Sequence, residues 1–488
     1  MWTDGVASIG YTHAFYPEMA PGHLAFALLL KGFVPPLAVG RAFHYGELGC
    51  GQGVTTNLLA ACHSASTFEA VDLLPEHMEG AQALAAACGN GNAAFHRESF
   101  ADFARRGGPD FDVIALHGVW SWVPDEDRAV LADIARRRLK PGGALYVSYN
   151  CLPGWAADMP VRRLLLERVA AGEGSLPERI AAALAFLDRL ALEGGYFARV
   201  PAAAALLDSL RGKSAAYVAH EFLNRNWAPF YHADVAAQLA GAGLSFAASA
   251  TLLDHLDSWR LGEDAAALVA QADAAGRETL RDTLAYTRFR RDVFLRDPVR
   301  LTAAERGRAL RALRFGLTVP RDAVPHSVTT PAGDRLLEPA LFEPLADALA
   351  TGAPSLDNLA QGRAFDAVVE ALTVLVGLGV AAPSLGPCPG AAAFNAAVLQ
   401  ANREAPDLCQ LASPLLGTGL VVDLLDRLFL LAEHEGSDPA ALAWSVLSGR
   451  GQRLRGLSSE AENLDELCRR YDGFRRHRRP HLAVLGIA

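Results

Sequence analysis

A turn punctuated by glycines, directly after a short apolar strand, is the feature that most constrains the fold. The segment HYGELGCGQG spans 44–53 and places Gly49, Gly51 and Gly53 at alternate positions. Glycine adopts backbone conformations that other residues avoid, and it lets the backbone approach a ligand closely. A strand, a glycine-rich turn and then a helix are typical of α/β proteins that bind nucleotides or nucleosides. The turn therefore predicts an α/β fold with a ligand at the end of the first strand.

Strands alternate with helices from this turn through residue 150. Helical stretches at 53–63, 76–88 and 125–139 separate the segments that we expect to be strands. Such alternation implies a parallel sheet with helices on both faces and a ligand beyond the carboxyl ends of the strands. The expected strands are 42–49, 66–73, 92–99, 111–119 and 143–150.

Two acidic residues discriminate among the ligands that the turn can hold. Glu47 precedes Gly49 by two residues, and a carboxylate there disfavours a pyrophosphate on the helix N-terminus. A cationic ligand without phosphate is favoured instead, and S-adenosylmethionine fits because it carries an ammonium and a sulfonium. Asp72 ends the second expected strand, where a ribose-binding carboxylate belongs, and Leu73 follows it. The alternatives are an NAD-type cofactor and a turn that only packs the sheet.

Further aromatic and polar residues extend this cofactor site. Ser99 and Phe100 end the third expected strand and are placed beside the edge and face of an adenine. The aromatic segment 10–24 precedes the first strand and is expected to cover the cofactor or line the acceptor channel; the alternative is that it anchors a helix to the sheet edge. Its candidate residues are Tyr11, Phe15 and Tyr16.

Methyl transfer from a sulfonium requires an aligned acceptor in a site that excludes water. The residues just after the fourth and fifth strands are the candidates, and His117 is expected beside both cofactor and acceptor. Trp120 and Trp122 can form a wall that excludes water and stabilises a cation, and Asn150 offers an amide at a strand end. The alternative is that both tryptophans pack under the helix at 125–139.

A polar and aromatic cluster follows residue 219, and it contains the sequence HEFLN. HExxH marks zinc proteases, but position 224 is Asn224, so no metal site is predicted. His220, Glu221 and Asn224 are placed on a loop that can face the acceptor. Glu221 is the candidate to orient an ammonium or to take its proton, and a local cap or salt bridge is the alternative.

Composition describes an ordinary soluble globular protein. The chain has 488 residues, of which 51% are hydrophobic and 20% charged, so more than one domain is expected. The net charge of −9 disfavours a general nucleic-acid binder. Seven scattered cysteines without CxxC spacing favour reduced thiols, and neither a signal peptide nor an apolar run long enough for membrane insertion is apparent. A cytoplasmic protein is expected.

The order of segments predicts a domain organisation. Strand character at 216–223 and a final strand within 244–252 are expected to complete the sheet as an antiparallel pair. The stretch 277–314 has eleven arginines among acids and is expected to form solvated, salt-bridged helices. The segment 320–340 is expected to be a linker or hairpin. The predicted parts are a cofactor-binding domain at 1–260 with a helical insertion at 157–211, a helical connecting segment at 261–325, and a mostly helical, winged-helix-compatible domain at 326–488.

Residues 42–155 resemble class I S-adenosylmethionine-dependent methyltransferases. The motifs are ELGCGQG, VDLLPEHM, ESFADF, FDVIALHGVWSWV and LKPGGALYVSYNCLPGW. The last two, together with 216–250 and 289–296, resemble a bacterial group with a methyltransferase regulatory domain. That group includes protein-lysine methyltransferases of outer-membrane proteins, so the resemblance implies a protein side chain, lysine foremost, as acceptor.

Two other functions stay open, namely methylation of a small molecule and a catalytically weak S-adenosylmethionine-binding module that scaffolds a partner. The helical insertion at 157–211 is a candidate surface for a homodimer.

Overall fold

A central sheet of seven strands organises the protein, whose computed structural model describes residues 13–330, 333–388, 390–404 and 407–488. The strand order is β3-β2-β1-β4-β5-β7-β6, in which β1 to β5 are parallel and β7 is antiparallel to both of its neighbours. The strands are β1 His44–Leu48, β2 Thr67–Asp72, β3 Ala93–Arg97, β4 Phe111–Leu116, β5 Leu139–Asn150, β6 Leu244–Ser249, β7 Phe289–Arg296, β8 Arg314–Leu317, β9 Ser327–Thr330, β10 Gly333–Leu336, β11 Ala381–Ser384, β12 Gln410–Ser413 and β13 Thr418–Val421.

Helices cover both faces of the sheet and dominate the rest of the chain. They are α1 Pro21–Leu30, α2 Val54–Cys62, α3 Pro75–Cys88, α4 Phe100–Arg106, α5 Asp125–Arg138, α6 Met159–Ala171, α7 Leu176–Leu192, α8 Tyr196–Arg199, α9 Pro201–Leu210, α10 Ala215–Phe222, α11 His232–Ala240, α12 Asp257–Leu261, α13 Glu263–Gln271, α14 Arg277–Ala285, α15 Ala303–Ala312, α16 Pro339–Ala350, α17 Leu356–Leu359, α18 Phe365–Gly377, α19 Ala391–Ala401, α20 Leu424–Glu435, α21 Pro439–Gly449, α22 Glu460–Gly473 and α23 Arg479–Val484. The predicted α/β class with a helical insertion and a mostly helical C-terminal region is confirmed.

The segment predicted as a strand at 216–223 is a helix instead, so that prediction is wrong. Ser214 begins α10 by accepting a hydrogen bond from the Tyr217 backbone N–H at 3.2 Å. The buried side chains Val218, Ala219 and Phe222 lie on one helical face and pack into the core of the insertion. A short apolar run can satisfy either period, and here the neighbouring insertion helices decide in favour of a helix.

Strand β7, and not the segment 216–223, forms the antiparallel pair with β6. It lies within the stretch 277–314, which we expected to be helical and solvated. Its Arg290 is only 2% exposed. The guanidinium donates to Asp282 at 2.8 Å, to Glu278 at 3.0 Å and to Asp292 at 2.9 Å. The arginine charge is therefore neutralised inside the protein, which an arginine count cannot reveal. The sheet thus draws a strand from beyond residue 260.

The C-terminal region packs directly on the sheet's helices and shares one large hydrophobic core with them. The Phe26 ring of α1 meets, edge-on at 5.0 Å, the Phe315 ring of β8, the strand that pairs with β11 of the C-terminal region. His63 follows α2, and its Nε2 lies 3.2 Å from the Gly417 carbonyl oxygen. The segment expected to be a linker or hairpin contains the antiparallel pair β9–β10. Among the described residues, no helix is both long and apolar enough to cross a membrane.

Candidate active site

A cavity of about 240 Å³ lies at the carboxyl ends of β1 to β4. The loops after these strands form its floor, and Tyr16, before α1, and α10 complete its wall. The residues that the sequence predicted for the cofactor line this cavity, except Gly53 and Phe15. Phe15 is buried in the large hydrophobic core instead. Tyr11 lies outside the described residues. The first crossover of the sheet therefore forms the expected pocket.

The glycines of the turn have different structural roles. Gly49 has a φ of +80°, and a Cβ placed on it would lie 2.5 Å from Val119 Cγ2. Gly49 also donates its N–H to the Val71 carbonyl at 2.8 Å, which ties the turn to β2. Gly53 has a φ of +66°, and its missing side chain makes room for Ala81 of α3. Gly49 thus brings the backbone up to the cavity, whereas Gly53 serves helix packing.

Glu47 is a carboxylic acid at the base of the cavity and is only 4% exposed. Burial raises its pKa to about 7, hydrogen bonding from Thr56 opposes this rise, and the Asp72 charge adds to it. The Thr56 hydroxyl donates to Glu47 Oε2. The carboxyl group is therefore poised to ionise when a cation binds beside it.

Asp72 is held rigidly at the end of β2. Its Oδ2 accepts the Gly51 N–H at 2.9 Å, and its Oδ1 accepts the Leu74 N–H at 3.0 Å. His77 Nδ1 lies 3.2 Å from the same Oδ1. These contacts link the glycine turn to the Asp72 carboxylate at the cavity. Sequence reasoning missed His77, although its place five residues after Asp72, across the Pro75 helix start, was available as a signal.

The loop after β3 brings Ser99 and Phe100 to the cavity wall. Ser99 caps α4 by accepting the Asp102 N–H at 3.1 Å, and its hydroxyl donates to the Asp102 carboxylate at 2.6 Å. The neighbouring Glu98 also lines the cavity and pairs with Arg106 at 3.3 Å. Glu98 was not selected from the sequence.

His117 follows β4 and lies under the N-terminal segment. The Tyr16 ring stacks on its imidazole with 3.6 Å between centroids. His117 Nδ1 lies 2.9 Å from the Tyr146 hydroxyl oxygen. Burial, aided by the Arg291 charge, lowers the pKa of His117 to about 3. The imidazole is therefore neutral at physiological pH.

Trp122 forms an aromatic part of the cavity wall and is held by residues around α10. Asn224 Nδ2 donates to the Trp122 carbonyl oxygen at 3.2 Å. The His220 ring lies 5.3 Å from the Trp122 ring, and both His220 and Asn224 line the cavity. Helix α10, which packs on the insertion helices, and the residues after it thus bring His220 and Asn224 to the site, both of which the sequence analysis had placed on a loop.

Three predicted catalytic residues lie elsewhere. Trp120 is fully buried in the core between the sheet and α5, where the alternative prediction had placed it. Asn150 is 8% exposed, and its backbone N–H donates to the Ser121 hydroxyl at 2.9 Å. Glu221 is not among the described residues that line the cavity; its Oε1 lies 3.3 Å from His220 Nδ1.

The cavity is acidic. Its charged side chains are carboxylates, and none of the described lining residues is Lys or Arg. Asp127, on the first turn of α5, contributes a carboxylate that the sequence analysis did not select. No cluster of metal-ligating side chains occurs among the described residues. The acids are Glu47, Asp72, Glu98 and Asp127. This charge distribution favours cationic ligands.

Comparisons with known proteins agree with this geometry. Residues 47–143 match the family model "Methyltransferase domain", and residues 214–296 match "Predicted methyltransferase regulatory domain". The uncharacterized protein sll1526 of Synechocystis is 35% identical over 505 residues, covering 100% of both chains. The chain belongs to the methyltransferases with a regulatory domain. This methyltransferase is an enzyme that uses S-adenosylmethionine.

The structural similarity between this methyltransferase and a solved protein extends over nearly the whole chain. PKMT2 of Rickettsia typhi in complex with AdoHcy superposes with a TM-score of 0.69 at 16% identity, covering 95% of this chain and 98% of that one. The uncharacterized protein RP789 of Rickettsia prowazekii is 29% identical over 224 residues, covering 43% of this chain and 40% of its own.

The matched regulatory segment is built into the catalytic unit of the methyltransferase. The range 214–296 contains α10 as well as β6 and β7, the last two strands of the central sheet. His220 and Asn224, which line the cavity, also fall within it. The segment therefore supplies both sheet and site rather than a separate globular body.

Proposed function

We propose that this methyltransferase transfers the methyl group of S-adenosylmethionine to a protein side chain, with the lysine amine as the favoured acceptor. The observation that carries the proposal is the acidic cavity, which has aromatic walls and no Lys or Arg among its described lining residues. Such a site attracts an ammonium and disfavours anionic acceptors. The structural neighbour PKMT2 is a protein lysine methyltransferase, which supports the same class of acceptor.

The residues on the cavity floor suit S-adenosylmethionine. We assign Glu47 to the ammonium of its methionyl part, because a buried carboxyl group that has no basic partner within the described part of the chain gains most from a cation. We assign Asp72, already oriented by Gly51 and Leu74, to the ribose hydroxyls. Phe100 and Ser99 are assigned to the adenine. When bound, the cofactor supplies an electrophilic methyl carbon on a positively charged sulfur.

The remaining wall residues belong to the acceptor in this proposal. Tyr16 and Trp122 exclude water, and a water-poor site favours the neutral amine over the ammonium. His117, neutral and stacked under Tyr16, offers a polar edge without a charge that would repel the cationic cofactor.

Labelling of a cell lysate tests the acceptor class. Purified enzyme and S-adenosylmethionine labelled in its methyl group are added to lysate, and labelled protein bands are digested for mass spectrometry. The proposal expects label on lysine side chains, and none with an Asp72→Ala variant. Label confined to small molecules contradicts the protein acceptor. Cofactor binding without any label transfer favours the scaffolding module instead.

We also propose that the helical insertion forms a homodimer surface. Helices α6 to α10 pack around a hydrophobic core of their own, and Leu192, at the end of α7, is 87% exposed. Analytical ultracentrifugation of the full chain and of Leu192→Glu tests this proposal. A dimer that dissociates in the variant supports the insertion surface, and an unchanged mass contradicts it.

A further inference from the structure

Lysine, the acceptor of the proposed function on which this inference rests, reaches an enzyme with a positive charge, because its solution pKa is about 10.4. An enzyme that selects lysine therefore needs a group that recognises an ammonium on the acceptor side of the cavity. Carboxylates suit this task, and those of the cavity differ in how much of their charge is left for such a ligand. They are Glu47, Asp72, Glu98 and Asp127.

Three of these carboxylates already have a partner or an assigned ligand. Glu47 and Asp72 are assigned to the ammonium and the ribose of the cofactor in the proposed function. Glu98 is paired with a cation of the protein itself, because its Oε2 lies 3.3 Å from Arg106 Nε. These three side chains are therefore poor candidates for the lysine ammonium.

Asp127 is the carboxylate that is left. It lies on the first turn of α5, is partly buried and lines the cavity. Within the described part of the chain, its carboxylate has neither a hydrogen-bond donor nor an ion-pair partner. The described lining residues include no Lys or Arg that could neutralise it. The Asp127 charge is therefore available to a cationic ligand.

The neighbouring Arg128 does not line the cavity, and its guanidinium is engaged elsewhere. The guanidinium lies 4.9 Å from the centroid of the Phe230 ring. It donates to the Trp120 carbonyl oxygen at 3.1 Å and also to the Val123 carbonyl oxygen. It also pairs with Asp125. These bonds fasten the loop after β4 to the start of α5 and leave Asp127 without a cation from its own helix.

The fastened loop carries an aromatic ring of the same cavity. Trp122 lies on this loop and lines the cavity together with Asp127. The Trp122 carbonyl oxygen accepts a hydrogen bond from Asn224 Nδ2 at 3.2 Å, which holds the loop from its other side. An aromatic face and a carboxylate both stabilise an ammonium. Because the loop and α5 fix both groups before a ligand arrives, binding costs less conformational entropy.

We propose that Asp127 is a specificity-determining residue for the acceptor, and that its carboxylate binds the ammonium of the incoming lysine on the wall that carries Trp122. The contact selects a cationic side chain over an apolar one of similar length. It concerns the capture of the charged lysine, before the amine loses its proton. Loss of the carboxylate should therefore raise KM for the acceptor, without lowering kcat.

An acid in the first turn of a helix can also serve the helix alone, because it interacts favourably with the helix dipole. Glu126 provides the matched control for this alternative. It precedes Asp127 on the same turn, is exposed, and is not among the described residues that line the cavity. Glu126→Gln thus removes a negative charge from the same turn but not from the site.

A double-mutant cycle between enzyme and peptide tests the contact without turnover. One peptide contains the lysine labelled in lysate, and a second carries norleucine there, which lacks the amine. Calorimetry with S-adenosylhomocysteine bound gives the Kd of both peptides for wild type, Asp127→Asn and Glu126→Gln. The preference for lysine over norleucine should fall about tenfold in Asp127→Asn and by less than about twofold in Glu126→Gln.

Turnover of the lysine peptide gives a second readout. Asp127→Asn should raise KM about tenfold, while kcat and the Kd of the cofactor change by less than about twofold. Asp127→Glu, which keeps the charge, should retain most of the preference for lysine. A kcat that falls in Asp127→Asn while KM stays at the wild-type value contradicts a role in capture.

The outcomes separate the role of Asp127 from the proposed function. If no lysine is labelled in lysate, both proposals fail. If lysine is labelled and Asp127→Asn keeps the wild-type preference for lysine over norleucine, the role of Asp127 alone is overturned. A preference that falls equally in Glu126→Gln indicates a general effect of charge on this helical turn, and it also overturns the specific contact.

Discussion

Cofactor affinity should depend steeply on pH because of Glu47. The free enzyme holds this carboxyl group with a pKa of about 7, raised mainly by burial. A cationic ligand beside it favours the ionised form, so binding releases a proton wherever the free carboxyl is protonated. If the bound pKa returns to its ordinary value of 4.5, the apparent Kd rises by about 50-fold from pH 7.5 to pH 5. That factor corresponds to about 2.3 kcal/mol.

Calorimetry in buffers with different enthalpies of ionisation measures both the affinity and the number of protons released. Wild type should release close to one proton at pH 6, and Glu47→Gln should release none and bind with an affinity that varies little with pH. An affinity of wild type that is flat between pH 5 and pH 7.5, or proton release that persists in Glu47→Gln, refutes the reasoning.

The raised pKa of Glu47 also determines the direction in which the stability of the cofactor-free enzyme changes with pH. The folded pKa of Glu47 lies above its ordinary value of 4.5, so its contribution to stability is complete below that value. The contribution is lost as the pH rises through about 7, and the loss amounts to roughly 3 kcal/mol. The free energy of unfolding in urea, measured for wild type and Glu47→Gln at pH 5 and pH 8, checks this. Relative to wild type, the variant should be more stable at pH 8 than it is at pH 5.

Three substitutions test the rest of the site and fold. Gly49→Ala places a Cβ 2.5 Å from Val119 Cγ2, whereas Gly40→Ala, with a similar φ of +72°, meets nothing within 4 Å. Both pay about 1–2 kcal/mol for the left-handed backbone, but only Gly49→Ala should also lose cofactor binding in calorimetry. Asp72→Asn should weaken cofactor binding at least tenfold, with a melting temperature close to that of wild type. Arg290→Met removes the arginine that pairs with Asp282, Glu278 and Asp292 and should cost about 3–5 kcal/mol in urea unfolding; a smaller loss contradicts the buried ion network.

The sequence was most informative where the residue types and the spacing of the apolar residues indicate the same element. The strand–turn–helix at 44–53, the acid at the end of β2 and the alternation through residue 150 predicted the sheet and its ligand side. The segment 216–223 was mistaken for a strand, since eight residues with mixed apolar spacing fit both periods. Trp120 and Trp122 are two residues apart, yet one lies in the core and the other on the cavity wall. Local spacing cannot say which side of a loop faces the ligand.

Residue types and their order along the chain alone determined the α/β class, the glycine turn and the pair of acids suited to a cationic nucleoside. These properties depend on backbone geometry and charge within short segments. The tertiary structure decided the membership of β7 in the sheet, the burial of Arg290 among carboxylates, and the approach of His220 to Trp122. Each of these joins residues far apart in the chain, and its stability comes from desolvation and packing that no short segment contains.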